Sequence, residues 1–85
     1  MKVTIDGKEY QAATAVELID EIKDMHWHVN STTDAEGYIS IQQDTYKRMI
    51  EREMVLPSGD TEARAVAMFE AVAKTGAWEY EKGGD

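Results

Sequence analysis

Eighty-five residues suffice for one domain with a modest core, since a chain this short buries roughly 60% of its unfolded surface. With 42% hydrophobic and 31% charged residues it reads as an ordinary globular chain and not a disordered one. A net charge of −8 argues against phosphate backbones and anionic membranes, and the lack of cysteine excludes disulfides, thiolate metal sites and a cysteine nucleophile.

Lys2 to Tyr10 predicts a hairpin turning at Asp6-Gly7, because a type I′ turn needs positive φ at both central residues. Ile5 then pairs with Lys8, Thr4 with Glu9 and Val3 with Tyr10. Side chains alternate, so Val3, Ile5, Tyr10 and the Lys8 stem share the inner face, with Lys8 snorkelling at its rim. Thr14 is the expected cap of a first helix, and Glu17 completes a capping box by reaching back to the Thr14 amide. Leu18, Ile19, Ile22, Met25 and Val29 recur at helical spacing as one apolar stripe. Glu17, Asp20, Glu21 and Asp24 fall together on the opposite face.

Asn30 to Gly37 reads as a loop. Tyr38-Ile39-Ser40-Ile41 fits either a short strand or the approach to a second helix capped by Ser40, with Gln43 in the capping-box position; the cap is preferred. Tyr46, Met49, Ile50 and Met54 would then line one side of a helix reaching Leu56, with Asp44–Arg48 and Lys47–Glu51 ion pairs on the other. Pro57 and Gly59 end it. Asp60 or Thr61 caps a third helix whose buried stripe is Ala65, Val66, Phe69, Val72 and Ala73, with Ala67 and Ala71 opposite. Gly76 is its left-handed C′ residue. Ala77 to Glu81 alternates with period two and predicts a closing strand, Trp78 and Tyr80 inward. The expected fold is therefore α+β: an N-terminal hairpin, three helices and a C-terminal strand completing a small three-stranded sheet, helices on one face. The closing strand is expected beside the first strand. Residues 1–82 are expected to form a single domain and 83–85 a flexible tail.

Chemistry has little support. Ser31, Ser40 and Ser58 lie in turn or cap contexts, no GxSxG, P-loop or GxGxxG motif occurs, and Asp34 to Gly37 lacks EF-hand spacing. Three helices and 85 residues leave little room for a deep cleft. His26 and His28 diverge by 200° on a helix, so His26 falls near the apolar stripe and His28 with the acidic face. Glu21, Asp24 and His28 form a row that could ligate a metal or do acid–base work, or could simply be a solvated face. Trp27 projects roughly 140° from the apolar stripe, which makes it either an exposed interface anchor or a ring folded back onto the core. Met25, Met49, Met54 and Met68 are either an adaptable binding surface or core filler.

Val3 to Lys8 followed by Thr14 to Ile19 resembles the opening of β-grasp proteins, including ubiquitin-like sulfur carriers and plant-type ferredoxins. Gly83-Gly84 resembles a carrier's terminal diglycine, and the likeness implies carrier or redox activity. The pattern departs after about residue 25: helices replace strands, Asp85 follows the diglycine, and no cysteine exists to hold a cluster. The whole-chain pattern is similar to small bacterial and prophage proteins in which a hairpin precedes helices, a likeness that implies no activity.

The expectation is a non-enzymatic interaction module with no cofactor, catalytic residue or metal site. It would bind a protein partner or itself, and neither nucleic acid nor membrane. The candidate surface is Glu17, Asp20, Glu21, Asp24, Trp27 and His28. The alternatives are a small metal-binding or acid–base enzyme, an acidic nucleic-acid mimic, and a ubiquitin-like carrier. Lack of cysteine, of a long apolar run and of a leader ahead of the first strand makes a cytoplasmic location the expectation.

Overall fold

The computed structural model describes residues 1–25 and 34–82, apart from the side chains of Asp24 and Met25. The expectations for His26, Trp27, His28, Val29 and residues 83–85 lie outside the described residues. The element order is β1 (Lys2–Ile5), β2 (Lys8–Gln11), α1 (Ala15–Met25), α2 (Ala35–Ile50), α3 (Thr61–Lys74) and β3 (Trp78–Glu81). This is the α+β arrangement that the patterning predicts.

Asp6 and Gly7 both take positive φ, 52° and 80°, as the hairpin turn demands. The register follows: Val3 faces Tyr10, Thr4 faces Glu9 and Ile5 faces Lys8. β3 pairs antiparallel with β1, Val3 opposite Tyr80 and Ile5 opposite Trp78, so the strand order is β2-β1-β3. Val3 and Ile5 are buried at the centre of the inner face, with Tyr10, Trp78 and Tyr80 packed at its sides. Lys8 is exposed.

The start of α1 satisfies its free amides one by one. The Glu17 amide donates to the Thr14 hydroxyl at 3.1 Å and Leu18 to the Thr14 carbonyl at 2.9 Å. Having accepted from that amide, the Thr14 hydroxyl directs its own proton to the Glu17 carboxylate at 3.2 Å, so the carboxylate meets the hydroxyl and not the backbone amide. The remaining two amides, Ala15 and Val16, donate to Oε2 and Oε1 of Glu62 at 2.7 and 3.0 Å. One carboxylate on α3 thus caps a helix 46 residues upstream and sits at its positive end. Leu18, Ile19 and Ile22 are fully buried.

The second helix corrects the reading at both ends. It begins at Ala35, capped by Asp34, whose carboxylate accepts from the Gly37 amide at 2.8 Å. Ser40 is not a cap; it lies inside the helix and is exposed. Ala35, Tyr38 and Ile39, at i, i+3 and i+4, supply its buried face. The helix stops at Ile50, because Glu51 adopts the left-handed conformation at φ 61°, a cost of roughly 1–2 kcal/mol for a residue with a Cβ. The return segment offsets this. Met54 turns back into the core, its carbonyl accepts from Gln43 Nε2 at 3.2 Å, and Glu53 takes Lys47 at 3.7 Å. Lys47 therefore pairs with Glu53 and not with the left-handed Glu51. Arg48 does pair with Asp44, at 2.9 Å. Further along, Arg64 fastens the segment: Nε meets Glu36 at 3.1 Å and Nη1 donates to the Pro57 carbonyl at 2.9 Å.

Asp60 caps α3. Its buried stripe is Ala65, Met68, Phe69 and Val72; Val66 and Ala73 are only half-buried, so the stripe is rotated from the one predicted. Met68 is core filler because it lies at i+3 from Ala65. Gly76 follows the last turn at φ 85°, where a Cβ would be strained. Phe69 stacks on Tyr80 at a centroid distance of 5.3 Å and meets Trp78 at 6.0 Å, locking α3 over β3. α1 lies over β2, while α2 packs chiefly on α1 and α3, as a third layer outside the sheet's helical cover.

Tyr38 is the misfit of this core. It is fully buried, and its hydroxyl has no hydrogen-bond partner among the described residues. Burial, with a smaller contribution from Tyr10, pushes its phenol well above the usual range. Tyr38→Phe deletes the unsatisfied group and is expected to stabilise the chain by about 1 kcal/mol, raising the thermal midpoint by about 4–8 °C. The alkaline limb supplies a second readout. The folded chain holds this proton to higher pH than the unfolded chain, so the stability it contributes is intact below the ordinary tyrosine pKa near 10 and lost as pH rises beyond it. Each ionising tyrosine of this kind steepens the loss by about 1.4 kcal/mol per pH unit. Urea unfolding at a series of alkaline pH values should show a shallower decline for Tyr38→Phe, with a residual slope from Tyr80, which burial also raises.

Candidate interaction surface

The acidic residues of α1 lie where the helical period puts them. Glu17, Asp20 and Glu21 are exposed. Glu17 is engaged with the Thr14 hydroxyl, and Asp20 with Lys23 at 3.4 Å. Asp24 belongs to α1, while its side chain, together with Trp27 and His28, lies outside the described residues. Among the described residues no cluster of three or more metal-ligating side chains forms, and no helix is long and apolar enough to cross a membrane.

The outer face of the sheet is polar. Lys2 stands at its centre strand, Nζ 3.3 Å from Glu9 and 3.2 Å from Glu81. Hydrogen bonding to Glu81 and then Glu9 raises the Lys2 ammonium above its ordinary pKa. Glu79 and Gln11 are exposed on the same face. Cross-strand pairing thus neutralises part of this surface, and its long polar side chains disfavour association through the sheet.

The apolar exposure lies elsewhere. Among the described residues the large hydrophobic side chains left in solvent are Ile41 (41%), Met49 (71%) and Val55 (89%). The helical period alone sets Met49 on a common side with Tyr46, Ile50 and Met54; of these only Met54 is buried. At 100° per residue, Ile41, Asp44, Thr45 and Arg48 form the outward strip of α2. Met49 lies at the edge of that strip toward α3, beside a cleft of about 40 Å³ that Tyr46, Ile50, Val72 and Ala77 help to line. On the other side of the helix the return segment passes Gln43 and Lys47 at Met54 and Glu53, one residue before the exposed Val55. Ile41 and Met49 therefore lie along this strip, and Val55 is exposed on the segment that returns past the helix. It is free because α2 spends its inner face on α1 and α3.

Sequence patterning misses this surface for a definite reason. Extending the helix to Leu56 puts Met49 and Met54 on one stripe, and the break at Glu51 separates them. The available signal is Asp34, three residues before Gly37 and followed by apolar residues at 35, 38 and 39, which marks a helix start six residues before Ser40. Starting the helix there turns Ile41 outward. No family model, curated protein or solved structure matches this chain.

Proposed function

We propose that the chain is a non-enzymatic docking module of the cytoplasm that binds a protein partner through the outward strip of α2 and the return segment beside it. The observation that carries this is the exposure of Ile41 and Met49 along one ridge of α2 and of Val55 on the segment returning past that helix, with no other large apolar side chain exposed among the described residues. Scattered exposed apolar residues are ordinary; in this reading the concentration of all three in α2 and the segment that follows it makes that region the interaction surface. A long flexible methionine suits the rim of such a surface. The acidic face of α1 serves solubility in this reading and keeps other faces from associating.

The test is a double variant, Met49→Lys with Val55→Lys. Both side chains are exposed, so its unfolding free energy should stay within about 0.5 kcal/mol of the wild type. Immobilised wild-type chain should retain a discrete protein partner that the double variant retains at least tenfold less, whereas Glu21→Lys on α1 leaves retention unchanged. Equal retention by the wild type and the double variant, or loss on Glu21→Lys alone, would overturn the assignment.

A further inference from the structure

We infer that the partner on this strip is a second copy of the chain, with α2 packed against α2 about a two-fold axis at Thr45. The inference rests on the docking reading above and adds the identity of the occupant.

Charge is the first argument. Residues 41–55 carry three cations, Lys47, Arg48 and Arg52, and three anions, Asp44, Glu51 and Glu53. The whole net charge of −8 therefore lies outside this segment. Two identical acidic molecules repel through their other faces and approach most easily through a neutral one. A strongly basic partner would instead be drawn to the acidic faces, away from the exposed apolar side chains.

The pattern of the strip is the second argument. Ile41, Thr45 and Met49 are spaced i, i+4 and i+8, so they form one ridge of the helix with Thr45 at its middle. A two-fold axis there sets Ile41 of each copy opposite Met49 of the other, the self-complementarity that an isologous interface requires. Ridges of this spacing pack into each other's grooves with the helices crossing at about −50°. Thr45 is small and exposed, so the two backbones can approach closely at the axis.

The cleft beside Met49 is the third. At about 40 Å³ it has room for the end of one apolar side chain and none for a folded ligand. The crossing carries Ile41 of the second copy to its mouth.

The chain has no cysteine, so a single introduced thiol reports on the axis cleanly. Helices about 8–10 Å apart bring two Cα atoms at the contact to about 4–6 Å, within reach of a disulfide. With oxidised glutathione as oxidant, the Thr45→Cys variant should form a covalent dimer at least tenfold faster than an Ala63→Cys variant on the exposed side of α3. Sedimentation of the wild type up to about 300 µM should show a monomer–dimer equilibrium. Raising salt from roughly 20 mM to roughly 500 mM should tighten it, because screening relieves repulsion between two acidic copies. Thr45→Arg should abolish the dimer with the thermal midpoint unchanged. A wild type that stays monomeric in both salts, equal crosslinking by the two thiol variants, or an undiminished dimer in Thr45→Arg overturns the inference. A monomer whose partner retention still requires Met49 and Val55 leaves the docking reading standing while this one falls.

Discussion

Phe69→Ala is expected to lower the unfolding free energy by about 3–5 kcal/mol, a loss few chains of this size can absorb. Phe69 is fully buried on α3, stacks on Tyr80 and meets Trp78 of β3 at a tilt. Truncation removes the ring's own burial, leaves a cavity, and loses two aromatic contacts worth about 0.5–1.5 kcal/mol each beyond area. It also loosens β3 from the helical layer, and β3 is one of only two partners of β1. A chain of this size has a total stability toward the low end of about 5–15 kcal/mol, so the variant should be largely unfolded in moderate denaturant. Urea unfolding followed by far-ultraviolet circular dichroism measures this directly. A loss below about 1 kcal/mol would mean that the sheet and helices are not held together at Phe69.

Glu62→Ala is expected to cost about 2–3 kcal/mol, unusual for a partly exposed surface carboxylate. Its side chain accepts from the Ala15 and Val16 amides of another helix, at 2.7 and 3.0 Å. Removing it strands both donors at a part-buried helix start and withdraws a negative charge from the helix's positive end. Glu62→Gln keeps one acceptor oxygen and loses the charge, so it should cost about half as much. Urea unfolding midpoints would show it; a cost below about 0.5 kcal/mol for Glu62→Ala would mean that water replaces the carboxylate fully.

Local signals in the sequence are the readable ones. Asp6-Gly7 specifies the hairpin and its register, because only one turn type closes a two-residue loop with that chemistry. Trp78 and Tyr80 alternating with Glu79 and Glu81 specify the closing strand and its inner face. Thr14, Asp60 and Gly76 mark helix ends by well-understood hydrogen-bonding and backbone preferences. What escapes depends on tertiary context. Glu51 carries no signal for a left-handed residue; the return of Met54 to the core forces it. Glu62 caps a distant helix, which spacing along the chain cannot reveal. The register of α3 depends on which side meets the rings of β3, so Met68 replaces Val66 and Ala73 in the core. The acidic face of α1 is legible as an exposed face, since a 3.6-residue period suffices to define it. The exposure of Ile41 and Met49 on α2 is not, because it follows from where the helix starts and stops.

Whether two copies of this chain meet on the outward strip of α2 can be read from amide NMR shifts across a dilution series. Between about 50 µM and about 1 mM, shift changes should cluster within residues 41–55, the amides around Thr45 moving most, with the outer sheet face and the acidic face of α1 unmoved. Shifts that stay constant across the series would contradict pairing with a second copy, and shifts that cluster on Glu17, Asp20 and Glu21 would contradict the strip as the contact surface.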